Sequence, residues 1–313
     1  MNDQFLSDVL SGLSSNPKKL SSKYFYDSKG DALFQKIMHT EAYYLTRCEQ
    51  EIFEQRSQEI AGRLIYDLDT FDLLELGAGD ASKTRLLLQE LLDQKAEFTY
   101  MPIDISSSMI NFLERDLPTK VPGLKLVGLC GEYFQMLNKV KSQAHRRKVV
   151  LFLGGNIGNM DLQEARLFCH DLHSSLNKGD YVLIGFDLRK NPHAIFKAYN
   201  DDEGLTKAFN LNLLTRINTE LGADIQLGKF EHYNSYDPST GACKSYLYSM
   251  EAQQFSVADN TFQLAEHEVI DMEISQKYSL EEINELGNES NFGVVETYFD
   301  TKRWFLDILW QVN

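Results

Sequence analysis

The stretch LLELGAGDASKTR, residues 73–85, holds the densest group of residues suited to ligand chemistry. An apolar run, two close glycines and a helical pattern read as a buried strand, a tight turn and a helix start. Gly77 and Gly79 permit positive φ and let a ligand approach the backbone without meeting a Cβ. Unpaired N–H groups at the helix start add donors. A turn of this kind, at the carboxyl end of a parallel strand, is where open α/β sheets hold nucleotides. By itself it leaves the ligand open, since Gly77-x-Gly79-x-x-Ser82 only approximates the dinucleotide fingerprint and also fits an ordinary strand-to-helix turn. Glu75 tilts the balance. A carboxylate two residues before the first glycine suits the sulfonium and ammonium of S-adenosylmethionine better than the pyrophosphate of NAD.

Five further groups carry chemistry. Asp104 ends the second strand, FTYMPIDIS, where a carboxylate can accept two hydrogen bonds from a ribose diol or cap the helix opened by Ser106 to Ser108. Glu132 and Tyr133 close the third strand, KLVGLCGEYF, as an acceptor and an aromatic face for a base. The fourth, KVVLFLGGNIGNM, runs into Gly154-Gly155-Asn156-Ile157-Gly158-Asn159, the composition of a ligand-lining loop. Tyr43 and Tyr44 place two phenols at a loop–helix junction, and Glu273 and Ser275 share one face of a strand by its period of two, lining a pocket or a solvent-facing edge. His170 and His173 lie three apart on a helix with no third ligand, so a solvated face is expected and no metal site.

The elements that must position these residues follow from periodicity. Residues 1–58 read as helical and polar around the aromatics Tyr24, Phe25, Tyr26, Phe34, Tyr43 and Tyr44. Residues 60–190 alternate apolar strands, the fifth being DYVLIGFDL, with helices, which implies a parallel sheet covered on both faces. Residues 190–225 are helical. KFEHYNSYDPSTGACKSYLYSME reads as a hairpin turning at residues 237–241, and HEVIDMEISQKYS as another strand. Ser279-x-x-Glu282 is a capping box opening a helix, and VVETYFD and RWFLDILWQ close the chain as two strands. Five parallel strands and a final antiparallel pair are the pattern of a class I methyltransferase.

Composition bounds the rest. The 313 residues carry a net charge of −15, which disfavours nucleic acid and anionic membranes as partners. No apolar run reaches the roughly 20 residues of a membrane span, and the N-terminus lacks the form of a signal peptide. Four scattered cysteines fit a reducing cytoplasm. A cytoplasmic enzyme without an obligate protein partner is expected.

Taken together, KYFYDSKGDALFQKI with EAYYLTRCE, LLELGAGDASKTR, FLGGNIGNM, AYNDDEGLTKAFNLNLLTRIN with LGAD, and EISQKYS resemble, in order, the histidine-specific methyltransferases that trimethylate the α-amine of L-histidine to hercynine, on the way to ergothioneine. The resemblance spans nearly the whole chain. It implies an α/β fold, a class I Rossmann-like seven-stranded sheet with an inserted substrate-binding lobe. Residues 52–190 and 277–313 would form the S-adenosylmethionine domain, and 1–51 and 191–276 the substrate domain. It implies Tyr26, Gly77, Lys83, Asp104, Glu132 and Tyr133 at the cofactor. Tyr43, Asn159 and Tyr199 would hold the amine and carboxylate of the amino acid, with Tyr43 and Asn159 closest to the chemistry, and Glu273 and Ser275 would bind the imidazole. Two stretches depart from the family pattern: Gly154-Gly155-Asn156, where small hydroxyl residues are expected, and the surroundings of Tyr246, where a methionine is expected beside the substrate ring. Another aromatic amino acid as substrate, and a NAD-dependent oxidoreductase, are the alternatives.

Overall fold

A computed structural model describes residues 3–67, 70–143 and 146–313. The chain divides into two compact units, Leu45–Leu188 with Lys277–Asn313, and Met1–Tyr44 with Arg189–Gln276.

The first unit is a seven-stranded sheet. Its strands, in chain order, are β1 (Thr70–Leu76), β2 (Glu97–Asp104), β3 (Leu129–Cys130), β4 (Arg147–Phe152), β5 (Tyr181–Asp187), β6 (Phe292–Phe299) and β7 (Phe305–Val312). The spatial order is β6-β7-β5-β4-β1-β2-β3. β1 to β5 are parallel, and β7 and β6 add an antiparallel edge. This is the class I order expected above. The connection from β3 back to β4 crosses to the far side of β1, so β1 and β4 flank the switch point where such sheets bind ligands.

β1, β4 and β5 are buried on both faces, as expected of the centre of a covered parallel sheet, and they take Asp72, Glu75, Lys148 and Asp187 inside with their apolar residues. One face packs Leu74, Val150, Phe152, Ile184 and Phe186 against Phe168 and Leu172 of helix Leu162–Ser174 and Ile283 and Leu286 of helix Leu280–Glu289. That last helix opens with the Ser279–Glu282 capping box read from sequence. Helix Leu45–Asp67 packs against helix Thr84–Asp93 and against β7.

Two elements differ from the sequence reading. The helix after the first turn begins at Thr84 rather than Ala81, because Gly77, Gly79 and Ala81 all take positive φ and hold the chain out of a right-handed helix. The third strand is only Leu129–Cys130, and Tyr133 opens helix Tyr133–Gln143 instead of ending a strand.

The second unit is built on a four-stranded sheet ordered Lys18–Lys19, Val269–Gln276, Ala242–Ser249, Phe230–Tyr236. The last two strands form the hairpin expected around residues 237–241. A separate hairpin, Gln253–Val257 with Asn260–Leu264, was not singled out by the sequence. Helices Asp3–Ser14, Ser28–His39, Pro192–Ala198 and Leu205–Leu221 complete the unit. Among the described residues no helix is long and apolar enough to cross a membrane.

Candidate active site

At the carboxyl ends of β1 to β4 the loops converge. Gly77 has φ +69°, and a Cβ there would lie 2.6 Å from the Tyr133 hydroxyl and 3.6 Å from Asn156 Nδ2. Glycine at this position therefore keeps open a cradle bordered by the loops after β1, β3 and β4. Asp104, the last residue of β2, accepts the Ser106 N–H at 2.8 Å. Ser106 itself caps the following helix by accepting from Met109 N–H, which leaves Asp104 at the strand end rather than in the cap role. Burial raises the Asp104 pKa above the usual carboxylate range. Tyr133 is pushed up to about 12 by burial and by the neighbouring carboxylates Asp104 and Glu132, so its phenol stays a neutral donor. Glu132 is exposed beside it. A half-buried acid at the end of β2, a phenol and an open glycine turn fit the ribose, base and backbone contacts of a nucleoside-bearing cofactor such as S-adenosylmethionine.

The two charged residues of the first turn play parts the spacing alone did not reveal. Glu75 was read as facing a cationic ligand. Instead it is buried, its Oε1 accepting from Thr84 Oγ1 at 2.6 Å and its Oε2 from the Tyr100 hydroxyl at 2.5 Å. It ties β1 to β2 and to the helix start, and burial lifts its pKa to about 7. Lys83 forms an ion pair with Glu49, whose other oxygen accepts the Gly154 N–H at 2.7 Å. Although burial alone favours the neutral amine, Glu49 outweighs it and holds the Lys83 pKa above its ordinary value. Asn159 is exposed, at the end of the 3-10 turn Asn156–Asn159 that follows the left-handed Gly155.

The second unit assembles the other predicted residues. A ladder of rings runs Phe209, Phe34, Tyr43, Tyr199, with centroids 5.7, 6.1 and 6.0 Å apart. Tyr26, 42% exposed, sits edge-on to Phe34 and Phe209 at 5.6 Å. Tyr43 and Tyr199 are 9% and 7% exposed. The ladder ends in a hydrogen bond of 2.7 Å between the Tyr199 hydroxyl and Ser275 Oγ. Tyr199 caps the short helix Pro192–Ala198, which brings its ring to the strand carrying Ser275.

Glu273 lies two residues before Ser275 in an unbroken register, beyond the bulge at Asp271/Glu273. Glu273 is opposite Ser245, which is opposite Asn234, and Ser275 is opposite Cys243. Directly paired residues share a sheet face. Tyr246 therefore belongs to the opposite face, where it stacks on the exposed Tyr233 at 6.5 Å. Tyr246 thus stands on the face away from Glu273 and Ser275, while its neighbour Ser245 shares theirs, since one residue along a strand reverses the face. Asn234 is buried and its Nδ2 donates to the Phe196 carbonyl at 3.2 Å.

Four residues that the sequence reading does not single out lie against these side chains: Glu49, Asp307, Ser245 and Asn234. Asp307 had a signal, as the lone acid within the apolar run FLDILW. Glu49 had none, for its partners lie 34 and 105 residues away. Among the described residues no group of three or more histidines, cysteines or acids could hold a metal ion.

Comparison with known proteins shows a match over residues 5–312 to the family described as histidine-specific methyltransferase, SAM-dependent. The histidine N-alpha-methyltransferase of Mycolicibacterium smegmatis is 34% identical over 278 residues, 88% of this chain and 85% of that protein. The protein of the same name from Mycobacterium tuberculosis is 33% identical, over 80% of this chain and 76% of its own. Ergothioneine biosynthesis protein 1 of Schizosaccharomyces pombe is 29% identical over 90% of this chain, which spans 37% of that protein.

Proposed function

The chain belongs to the histidine-specific, S-adenosylmethionine-dependent methyltransferases, and from that premise we propose that it methylates the α-amine of L-histidine three times, yielding hercynine. The observation that best supports an imidazole-bearing substrate is the face shared by Glu273 and Ser275, with Ser275 joined to Tyr199. A carboxylate and a hydroxyl one strand-step apart can engage both imidazole nitrogens. A phenyl ring in the imidazole's place offers these two groups no N–H and no ring nitrogen, a discrimination worth more than shape alone.

We assign Gly77, Lys83, Asp104, Glu132 and Tyr133 to the cofactor: Asp104 at the ribose, Glu132 and Tyr133 at the adenine, and Lys83 with the Gly77 turn at the amino-acid end. Tyr26 at the sulfonium and Asn159 at the substrate are assigned on the family pattern. Tyr43 and Tyr199 are assigned to the amine and carboxylate of the histidine.

Bound S-adenosylmethionine supplies an already activated methyl group. The protein's work is then orientation and exclusion of water. The amine must be neutral to attack, and each transfer to an amine that still bears hydrogen releases a proton. Tyr43, held edge-on to Tyr199, can accept a hydrogen bond from the amine and aim its lone pair without itself serving as a strong base. Asn159 can accept from the amine and donate to the carboxylate.

Mass spectrometry of a reaction containing S-adenosylmethionine and a panel of L-histidine, L-tryptophan, L-tyrosine and L-phenylalanine tests the reading. Trimethylated histidine is the expected product. Conversion of a different amino acid in preference to histidine overturns the roles of Glu273 and Ser275 and leaves a methyltransferase of another aromatic amino acid.

A further inference from the structure

Beneath the loops after β1 and β4 lie two buried acids, Glu49 and Asp307, that the proposed reaction does not use. Asp307 stands in the middle of β7, fully buried, and among the described residues neither of its carboxylate oxygens finds a hydrogen-bond donor. Directly opposite it on β5 is Gly185. A Cβ at Gly185 would lie 2.5 Å from Glu49 Oε1 and 3.0 Å from Asp307 Oδ1. Both carboxylates thus share the space left by one missing side chain, with apolar residues on either side of Gly185 and Asp307 along their strands. The Glu49 side chain is 0% exposed and that of Lys83 19%. Besides Glu49, the carboxyl groups of Asp307 and Glu75 lie near enough to Lys83 to act on its ammonium.

A bare carboxylate at Asp307 is untenable. Its desolvation has no compensating donor, and a second carboxylate faces it. The proton therefore resides on Asp307: burial and the facing Glu49 raise its pKa well above the usual carboxylate range, outweighing the opposing pull of the Lys83 ammonium. A protonated Asp307 becomes a donor, and Glu49 is the acceptor that faces it. Glu49 then accepts from three sides: from Lys83, from the Gly154 N–H and from Asp307.

We propose that Glu49 and Asp307 are positioning residues for the cofactor site, a proton-sharing acid pair that fixes the Lys83 ammonium and the Gly154 loop in one geometry. Glu49 links the loop after β1 to the loop after β4. Asp307 saturates Glu49, so that the carboxylate is fully hydrogen-bonded without a second negative charge beside it. A single buried ion pair left half-satisfied would sample several geometries, whereas three convergent donors hold one. The inference rests on the reading of Lys83 as a cofactor residue.

The test is the affinity of the full chain for S-adenosylhomocysteine, by titration calorimetry, in Lys83→Met, Glu49→Gln, the double variant, Asp307→Asn and Asp307→Leu. Lys83→Met and Glu49→Gln are each expected to weaken binding by about tenfold or more. If Glu49 acts through Lys83, Glu49→Gln adds little in the Lys83→Met background. Asp307→Asn keeps a donor towards Glu49 and restores most of the affinity lost in Asp307→Leu. Full additivity of Glu49→Gln and Lys83→Met, or Asp307→Asn as damaging as Asp307→Leu, overturns the proposal while leaving Lys83 at the cofactor. No effect of Lys83→Met overturns the cofactor reading of Lys83 and the inference with it.

Discussion

Glu75→Gln should make the protein more stable at alkaline pH and leave it nearly unchanged at acid pH. Burial raises the Glu75 pKa from 4.5 to about 7, against the opposing hydrogen bonds from Thr84 and Tyr100. A carboxyl whose pKa is raised on folding binds more protons in the native state, so its contribution is fully present below the unfolded pKa and is lost as pH rises through the folded one. The window here runs from about pH 4.5 to about pH 7. Each tenfold change in proton affinity corresponds to about 1.4 kcal/mol, so the ionised Glu75 costs the fold about 3 kcal/mol above the window. Glutamine keeps the shape. Its carbonyl can accept from Tyr100 while its amide donates to Thr84 Oγ1. The assay is urea unfolding followed by tryptophan fluorescence, and both tryptophans, Trp304 and Trp310, belong to the unit that contains Glu75. The difference in stability between variant and parent should grow by about 3 kcal/mol between pH 4.5 and pH 8. A difference that stays constant with pH refutes the reasoning, because a lost hydrogen bond or a packing defect has no such dependence.

Three other outcomes are expected. Lys277→Met removes the ion-pair partner of the buried Asp187, 2.8 Å away, and should cost about 3–5 kcal/mol in chemical denaturation. Gly77→Ala combines a φ of +69° with a Cβ 2.6 Å from the Tyr133 hydroxyl, so titration should show weaker S-adenosylhomocysteine binding together with a stability loss of about 1–2 kcal/mol. Ser275→Ala deprives Tyr199 of its hydroxyl partner, and steady-state kinetics should show the KM for histidine rising by about tenfold, with a smaller change in the KM for S-adenosylmethionine.

Much of this protein is legible in the order of its residues. Apolar runs alternating with helical periods require a covered parallel sheet, and the glycines at 77 and 79 mark its first ligand turn because the φ of +69° and +53° there suit residues without a Cβ. The capping box at Ser279 is local chemistry, so it too can be read directly. The separated motifs, in order, identified the family. Tertiary structure alone decided which carboxylates are taken up inside the fold. Glu75 has the spacing of a ligand residue, yet its two oxygens are taken by Thr84 and Tyr100, one of them 25 residues away. Lys83 was legible as a loop cation, but not the acid pair beneath it, since Glu49 and Asp307 meet only where β7 lies against a glycine in β5. Likewise the sheet face on which Tyr246 or Ser245 stands depends on strand register, which is set by pairing partners. Spacing along the chain determines local geometry, whereas hydrogen-bond partners and sheet faces depend on what the folded chain brings alongside.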